Sequence, residues 1–153
     1  MSEYKVAIIM GSPNDRPKME PAAEVFEKMG IAADLQVMSA HRTPAKVAEF
    51  VGGARENGYA AIIAGAGMAA HLAGAAAAHT TLPVVGVPLS GGALNGVDAL
   101  YATVQMPKGI PVATVAVDGA INAALLVTQM LAIGDADLQA KLEADRAERA
   151  GVS

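Results

Sequence analysis

The chain has 153 residues, 53% of them apolar and only 17% charged, with a formal net charge of −4. That length is one domain's worth and can bury a sizeable core, while so little charge cannot cover an isolated small globule, so part of the surface is expected to be buried against sister subunits. The acidic balance, and aromatics at 3% with no Trp, argue against a nucleic-acid partner bound through phosphates or base stacking. The absence of cysteine excludes disulfides, thiolate metal sites and cysteine nucleophiles, and fits a reducing, cytoplasmic setting.

The opening MSEYKVAIIM does not read as a signal peptide. One Lys precedes a short apolar run, and Gly11-Ser12-Pro13 turns the chain where a cleavage site would stand. It reads instead as a first strand, Tyr4–Met10, followed by a helix over about residues 17–29 that stops at Gly30. Pro21 is awkward in that helix, because it removes a backbone bond there. The helix is therefore expected to start a residue or two later, or to bend.

A second strand, Ala32–Met38, leads to a helix over about 44–57, with Thr43 as hydroxyl cap, Pro44 at the first helical position and Gly58 as the stop. A third strand, Tyr59–Gly65, leads to an alanine-rich helix over about 68–79. The strands Pro83–Val87 and Pro111–Val115 follow, with helices over about 97–105 and 119–132 around them. No charged residue stands between Glu56 and Asp98. The Gly, Pro, His and Asn residues in that stretch break it up, so it reads as interior and subunit interface rather than membrane span.

The last segment, about 135–149, is a charged helix whose large apolar residues are Leu138 and Leu142. Its own domain core is not expected to hold it, and it is expected to lie over a neighbouring subunit or in solvent. A single domain thus spans 1–153, with 1–133 as core and 134–153 as tail. Strands apolar on both faces, alternating with helices, predict a three-layer α/β sandwich around a doubly wound parallel sheet.

In such sheets ligands bind beyond the C-terminal ends of the strands. Small and polar residues gather at four of those ends: Gly11-Ser12-Pro13-Asn14-Asp15, Ser39-Ala40-His41-Arg42-Thr43-Pro44, Ala64–Leu72 and Ser90-Gly91-Gly92. Arg42 offers a planar fork of donors to a phosphate or carboxylate, and His41 can carry a proton either way near neutrality. The blander reading has His41 capping a carbonyl and Arg42 pairing with a surface acid. Ser12, Asn14 and Asp15 can bind phosphate and ribose hydroxyls, or can simply make a turn and cap a helix. Gly65-Ala66-Gly67-Met68-Ala69-Ala70 partly matches the dinucleotide fingerprint. It follows the third strand, however, and no acid lies about twenty residues further on, so nicotinamide binding is rejected. A glycine loop whose amides can approach an anion remains. His71 follows that loop and either faces the same pocket or packs among alanines. His79 and the eight methionines read as structural.

Taken with Val85-Gly86-Val87-Pro88, Gln105-Met106-Pro107-x-Gly109-Ile110-Pro111-Val112 and Asn122-Ala123-Ala124-Leu125-Leu126, these blocks resemble the 5-(carboxyamino)imidazole ribonucleotide mutase family over almost the whole chain. The resemblance implies a flavodoxin-like sandwich assembled as a homo-octamer, with each site built from more than one subunit. It implies a step of de novo purine biosynthesis using no ATP, metal or biotin. The carboxylate would move from the exocyclic nitrogen of the ribonucleotide to ring carbon 4.

By the same resemblance His41 would relay the proton and His71 would assist. Gly11, Ser12, Asn14, Asp15, Ser39, Ala40 and Arg42 would hold the phosphoribosyl part. Gly65, Ala66, Gly67, Met68, Ala69 and Leu72 would position the carboxylate or carbon dioxide. The chain departs from the family pattern at Asn14 (usually Ser), at Met68 (usually Gly) and in the loop of Ser90-Gly91-Gly92 and Asn95. A sister class that carboxylates aminoimidazole ribonucleotide directly carries Lys after the loop histidine, where this chain has Arg42. A non-catalytic nucleotide-binding module of the same fold is the remaining alternative.

Overall fold

A computed structural model describes residues 3–151; positions 1–2 and 152–153 of the expected domain lie outside the described residues. The strands are β1 (Lys5–Met10), β2 (Ala32–Val37), β3 (Ala61–Gly67), β4 (Val84–Leu89) and β5 (Ala113–Thr114). The helices are α1 (Arg16–Met29), α2 (Pro44–Gly52), α3 (Leu72–His79), α4 (Val97–Val104), α5 (Ala120–Ala132) and α6 (Ala136–Arg149), with a short 3-10 turn at Pro13–Asp15. All pairings are parallel, in the order β2-β1-β3-β4-β5. That is the flavodoxin-like order, in which the chain reverses direction across the sheet between β1 and β3.

Period-two alternation sorts the strand side chains between two cores. Val6, Ile8 and Met10 of β1 point to the layer of α1 and α5, with Met19, Phe26, Ala123 and Val127. Ala7 and Ile9 point to the layer of α2 and α3, with Val47, Val51, Leu72 and Ala76. Burial on both faces is what a central parallel strand requires. Among the described residues no helix is long and apolar enough to cross a membrane.

Several boundaries differ from the sequence reading, each for a local reason. Helix α1 starts one residue earlier than predicted, at Arg16, and carries Pro21 inside it. Pro17 stands in its first turn, where a missing N–H is tolerated. The predicted stop is in place: Gly30 adopts φ 75° and its N–H donates to Glu27. Helix α2 ends at Gly52 and is capped by Gly53, so residues up to Gly58 form turns.

Strand β3 starts two residues late, because the N–H groups of Tyr59 and Ala60 are taken by the carbonyls of Ala54 and Lys5. It also ends two residues late, since its pairing with β4 continues to Gly67 beside Leu89. Helix α3 then begins at Leu72 and not at 68, because Met68 has φ 51°, outside the helical region. Strand β5 shrinks to two residues at the sheet edge.

The expectation that the chain's own core would not hold the tail helix is corrected. Helix α6 docks on its own chain, with Leu138 buried in the α1–α5 core and Leu142 packed against that core. The Asp135 side chain caps it by accepting from the Leu138 N–H at 3.1 Å. Asp145, 3% exposed, accepts from Lys28 at 2.8 Å and Arg149 at 2.6 Å. Two leucines looked too few from the sequence, and the long-range partner Lys28 was hidden among ordinary surface lysines.

Candidate active site

Four strand ends meet at one rim of the sheet, on either side of the reversal point between β1 and β3. A cleft of about 510 Å3 opens there, bordered by the loops after β1, β2, β3 and β4. Each loop is short and begins at a hydrogen-bonded strand of the sheet, so the frame fixes where its side chains emerge.

The loop after β2 is organised around a buried serine. Ser39 Oγ accepts from the backbone N–H of His41 at 3.2 Å and of Arg42 at 3.0 Å. The Ser39 N–H donates to Thr43 Oγ1 at 2.8 Å, and that hydroxyl donates back to the Ser39 carbonyl at 3.2 Å. Thr43 does stand at the N-cap of α2, but its hydroxyl makes no cap bond to the helix; it is spent on Ser39 instead. Ser39 therefore shapes the turn that presents His41 and Arg42. Arg42 Nη2 in turn donates to the Gly11 carbonyl at 3.2 Å, tying the loop to the end of β1.

The loop after β3 brings His71 to His41. His71 sits at the N-cap of α3, and its Nδ1 lies 2.6 Å from His41 Nε2, with the rings edge to face and their centroids 4.8 Å apart. Only one hydrogen can lie between those two nitrogens, so the tautomers of the rings are coupled. Either His41 donates from Nε2 and leaves Nδ1 as a free lone pair, or His71 donates from Nδ1 and leaves its Nε2 free. In both cases one basic ring nitrogen is left for a proton.

Asp15, half-buried at the end of the 3-10 turn, has its carboxyl pushed above the usual range by burial; the charges of Lys18 and Arg42 and the Ser12 backbone N–H pull the other way. Ser12 Oγ accepts from the Asn14 N–H at 3.2 Å.

Gly11, Ser12, Asp15, Ser39, Ala40, His41, Arg42, Ala66, Gly67, Met68, Ala69, His71 and Leu72, thirteen of the predicted residues, border the one cleft. Asn14 and Gly65 do not. Gly65 faces the core: a β-carbon there would collide with Met19 Sδ, so the residue lets α1 pack close to β3. Its carbonyl accepts from the Gly11 N–H at 3.2 Å. A β-carbon on Gly67 would meet the Leu89 carbonyl at 3.3 Å, so its small size serves the approach of β4. Ser90, Gly91 and Gly92 complete the border. The strand-end rule points to these three, although the family resemblance does not extend to them.

Known proteins share this pattern over nearly the full length. The AIR carboxylase family profile matches residues 5–151. N5-carboxyaminoimidazole ribonucleotide mutase of Vibrio vulnificus is 53% identical over 147 residues, covering 95% of this chain and 91% of the relative. The protein of the same name from Escherichia coli K12 is 54% identical over 140 residues, covering 90% and 83%. Among solved structures, the crystal structure of Treponema denticola PurE superposes with a TM-score of 0.85 at 25% identity, covering 96% of this chain and 92% of that one. With half of its residues shared along almost its whole length, the chain belongs to the AIR carboxylase family.

Proposed function

We propose that the chain is an N5-carboxyaminoimidazole ribonucleotide mutase of purine biosynthesis, acting in the cytoplasm as a homo-octamer. The observation that supports this reading best is the hydrogen-bonded pair of His41 and His71 at the mouth of a strand-end cleft that Arg42 also borders. Two relatives more than half identical to the chain bear that name.

The chemistry needs one proton given and one taken. Protonation of the carbamate nitrogen weakens its bond to the carboxyl carbon. That bond breaks, its electron pair stays on nitrogen, and carbon dioxide and the aminoimidazole ribonucleotide result. The enamine-like ring carbon 4 then attacks carbon dioxide, and loss of the ring proton from that carbon restores aromaticity. His41 supplies the first proton and accepts the second, with His71 orienting it through the shared hydrogen. Arg42, Ser12 and Asp15 hold the phosphoribosyl group, and the Ala66–Leu72 loop keeps carbon dioxide beside carbon 4, where proximity replaces a bimolecular encounter.

Incubation of the protein with the carbamate ribonucleotide, without ATP, tests this directly. The ring-carboxylated product should appear at the rate the carbamate disappears, with no incorporation of labelled bicarbonate from solution. Product that carries the solution label would favour direct carboxylation of aminoimidazole ribonucleotide. No product would leave a nucleotide-binding module.

A further inference from the structure

Beside the cleft, two charged side chains from distant parts of the chain converge on one serine. Lys18, in the first turns of α1, donates from Nζ to the Ser90 carbonyl at 2.7 Å and to Ser90 Oγ at 3.0 Å. Asp118, just before α5, accepts from the Ser90 N–H at 2.9 Å through Oδ1 and from the Ser90 hydroxyl through Oδ2. Lys18 and Asp118 approach each other at 4.0 Å. Every polar atom of Ser90 is thus engaged by a charged group.

Such an arrangement is more than one exposed serine needs. Ser90 opens the segment Ser90-Gly91-Gly92, which borders the cleft. Gly91 and Gly92 have φ of 146° and 67° and no side chains to anchor them. Gly92 lies under Met68, since a β-carbon there would come within 3.0 Å of Met68 Sδ. Met68 is 59% exposed and has left-handed backbone. Asn95 and Asp118 are the other non-glycine residues with positive φ among the described residues. Conformations of that kind persist only where their surroundings over-determine them, and they gather at ligand sites.

We propose that Lys18 and Asp118 are positioning residues that, through Ser90, hold the Gly91-Gly92 segment with Gly92 against Met68 and so fix one wall of the cleft. Neither has a hydrogen bond to His41 or His71, so the cluster acts on how tightly substrate seats and not on proton transfer. Burial pushes the Asp118 carboxyl up, but the two Ser90 hydrogen bonds and the Lys18 charge outweigh it and hold the carboxyl below the usual range. The acid is therefore ionised at working pH, as the clamp requires. The kinetic part of this inference rests on the mutase reading; the structural part does not.

The experiment compares Lys18→Met, Asp118→Asn, their double variant and Lys18→Arg, with two readouts. Steady-state kinetics on the carbamate ribonucleotide should give a KM raised by about three- to tenfold in each single variant, the scale of one net hydrogen bond, with kcat within twofold of the parent. The double variant should be no worse than the poorer single one, because both changes release the same serine. Lys18→Arg, which keeps a charged donor, should restore most of the lost affinity. The second readout is the carbon-13 methyl resonance of Met68, recorded without substrate, which should move in both single variants and return in Lys18→Arg.

Ser90→Ala, which leaves both charges in place, supplies the same two readouts if the charge variants fail to fold. A KM within twofold of the parent, a fall in kcat as large as the rise in KM, additive losses, or an unmoved Met68 resonance each overturns the proposal. A parent protein that turns over no carbamate ribonucleotide overturns the mutase reading instead, and the Met68 resonance then still decides whether the clamp sets the wall.

Discussion

His41 and His71 share one hydrogen at 2.6 Å, so removing either ring changes more than one group. If His41 carries both proton steps, His41→Asn keeps a hydrogen-bonding side chain but loses the titrating one. Substrate binding should survive nearly intact, while turnover falls by a factor on the order of 10²–10⁴, the usual range for a general acid–base residue. His71→Asn should do less damage, because an amide can still orient His41. Single-turnover kinetics and equilibrium binding on both variants separate the cases. Should the His71 variant be the more damaged, the roles are reversed. At this scale the sequence was informative wherever strand-end position and residue chemistry agree, as they do for His41, Arg42 and Ser12. It was silent on Lys18 and Asp118, which lie 72 and 28 positions from Ser90 and look like ordinary surface charges until the fold brings them together. Gly65 failed differently: one glycine in a glycine-rich loop gives no hint that its missing side chain makes room for Met19 and not for a ligand.

Elements were legible from periodicity and capping, and their ends were not. A strand is recognised by its apolar run, but where it stops depends on which neighbour still pairs with it, as Gly67 does with Leu89. The tail helix α6 is the largest misreading, because its anchoring is electrostatic as much as apolar. Hydrogen bonds from Arg149, one turn along the same helix, and then from Lys28 of α1 hold the Asp145 carboxyl below the usual range, against the effect of burial. The Lys28 bond is the one of the two that ties α6 to the rest of the chain. A carboxyl lowered by folding contributes stability that is complete above its unfolded value of about 4 and is lost as pH falls through the lower folded one. Docking of α6 should therefore hold through neutrality and weaken on acidification below about pH 4. Asp145→Asn should mimic that loss at neutral pH, and amide exchange in α6 should speed up by about tenfold, the scale of one hydrogen bond to a charged group. Exchange in the sheet strands should stay unchanged. If α6 exchange is unaltered as well, the apolar packing of Leu138 and Leu142 holds the helix without it.

On the scale of the whole molecule, the surface of one chain is less polar than its fold requires. Leu94, Val97, Tyr101 and Val104 are 60%, 51%, 62% and 45% exposed. The last three, on α4, are spaced four and three apart and so share one face of that helix. The uncharged stretch from Asn57 to Val97 leads directly into it. Single exposed apolar residues are ordinary, but a row of them along one helix face is the kind of surface an interface between chains would bury. A closed homo-oligomer is therefore expected, with eight chains the number implied by the family resemblance. Light scattering at micromolar concentration should give a mass that is a multiple of the single chain's. Val97→Glu with Tyr101→Asp should lower it by placing charge on both partners of each contact. Because Met68, 59% exposed, stands at the border of the cleft, the dissociated variant should also lose turnover, even though His41 and His71 belong to one chain. A stable monomer in the parent protein would remove the assembly. A dissociated variant with full turnover would instead confine the working site to a single chain.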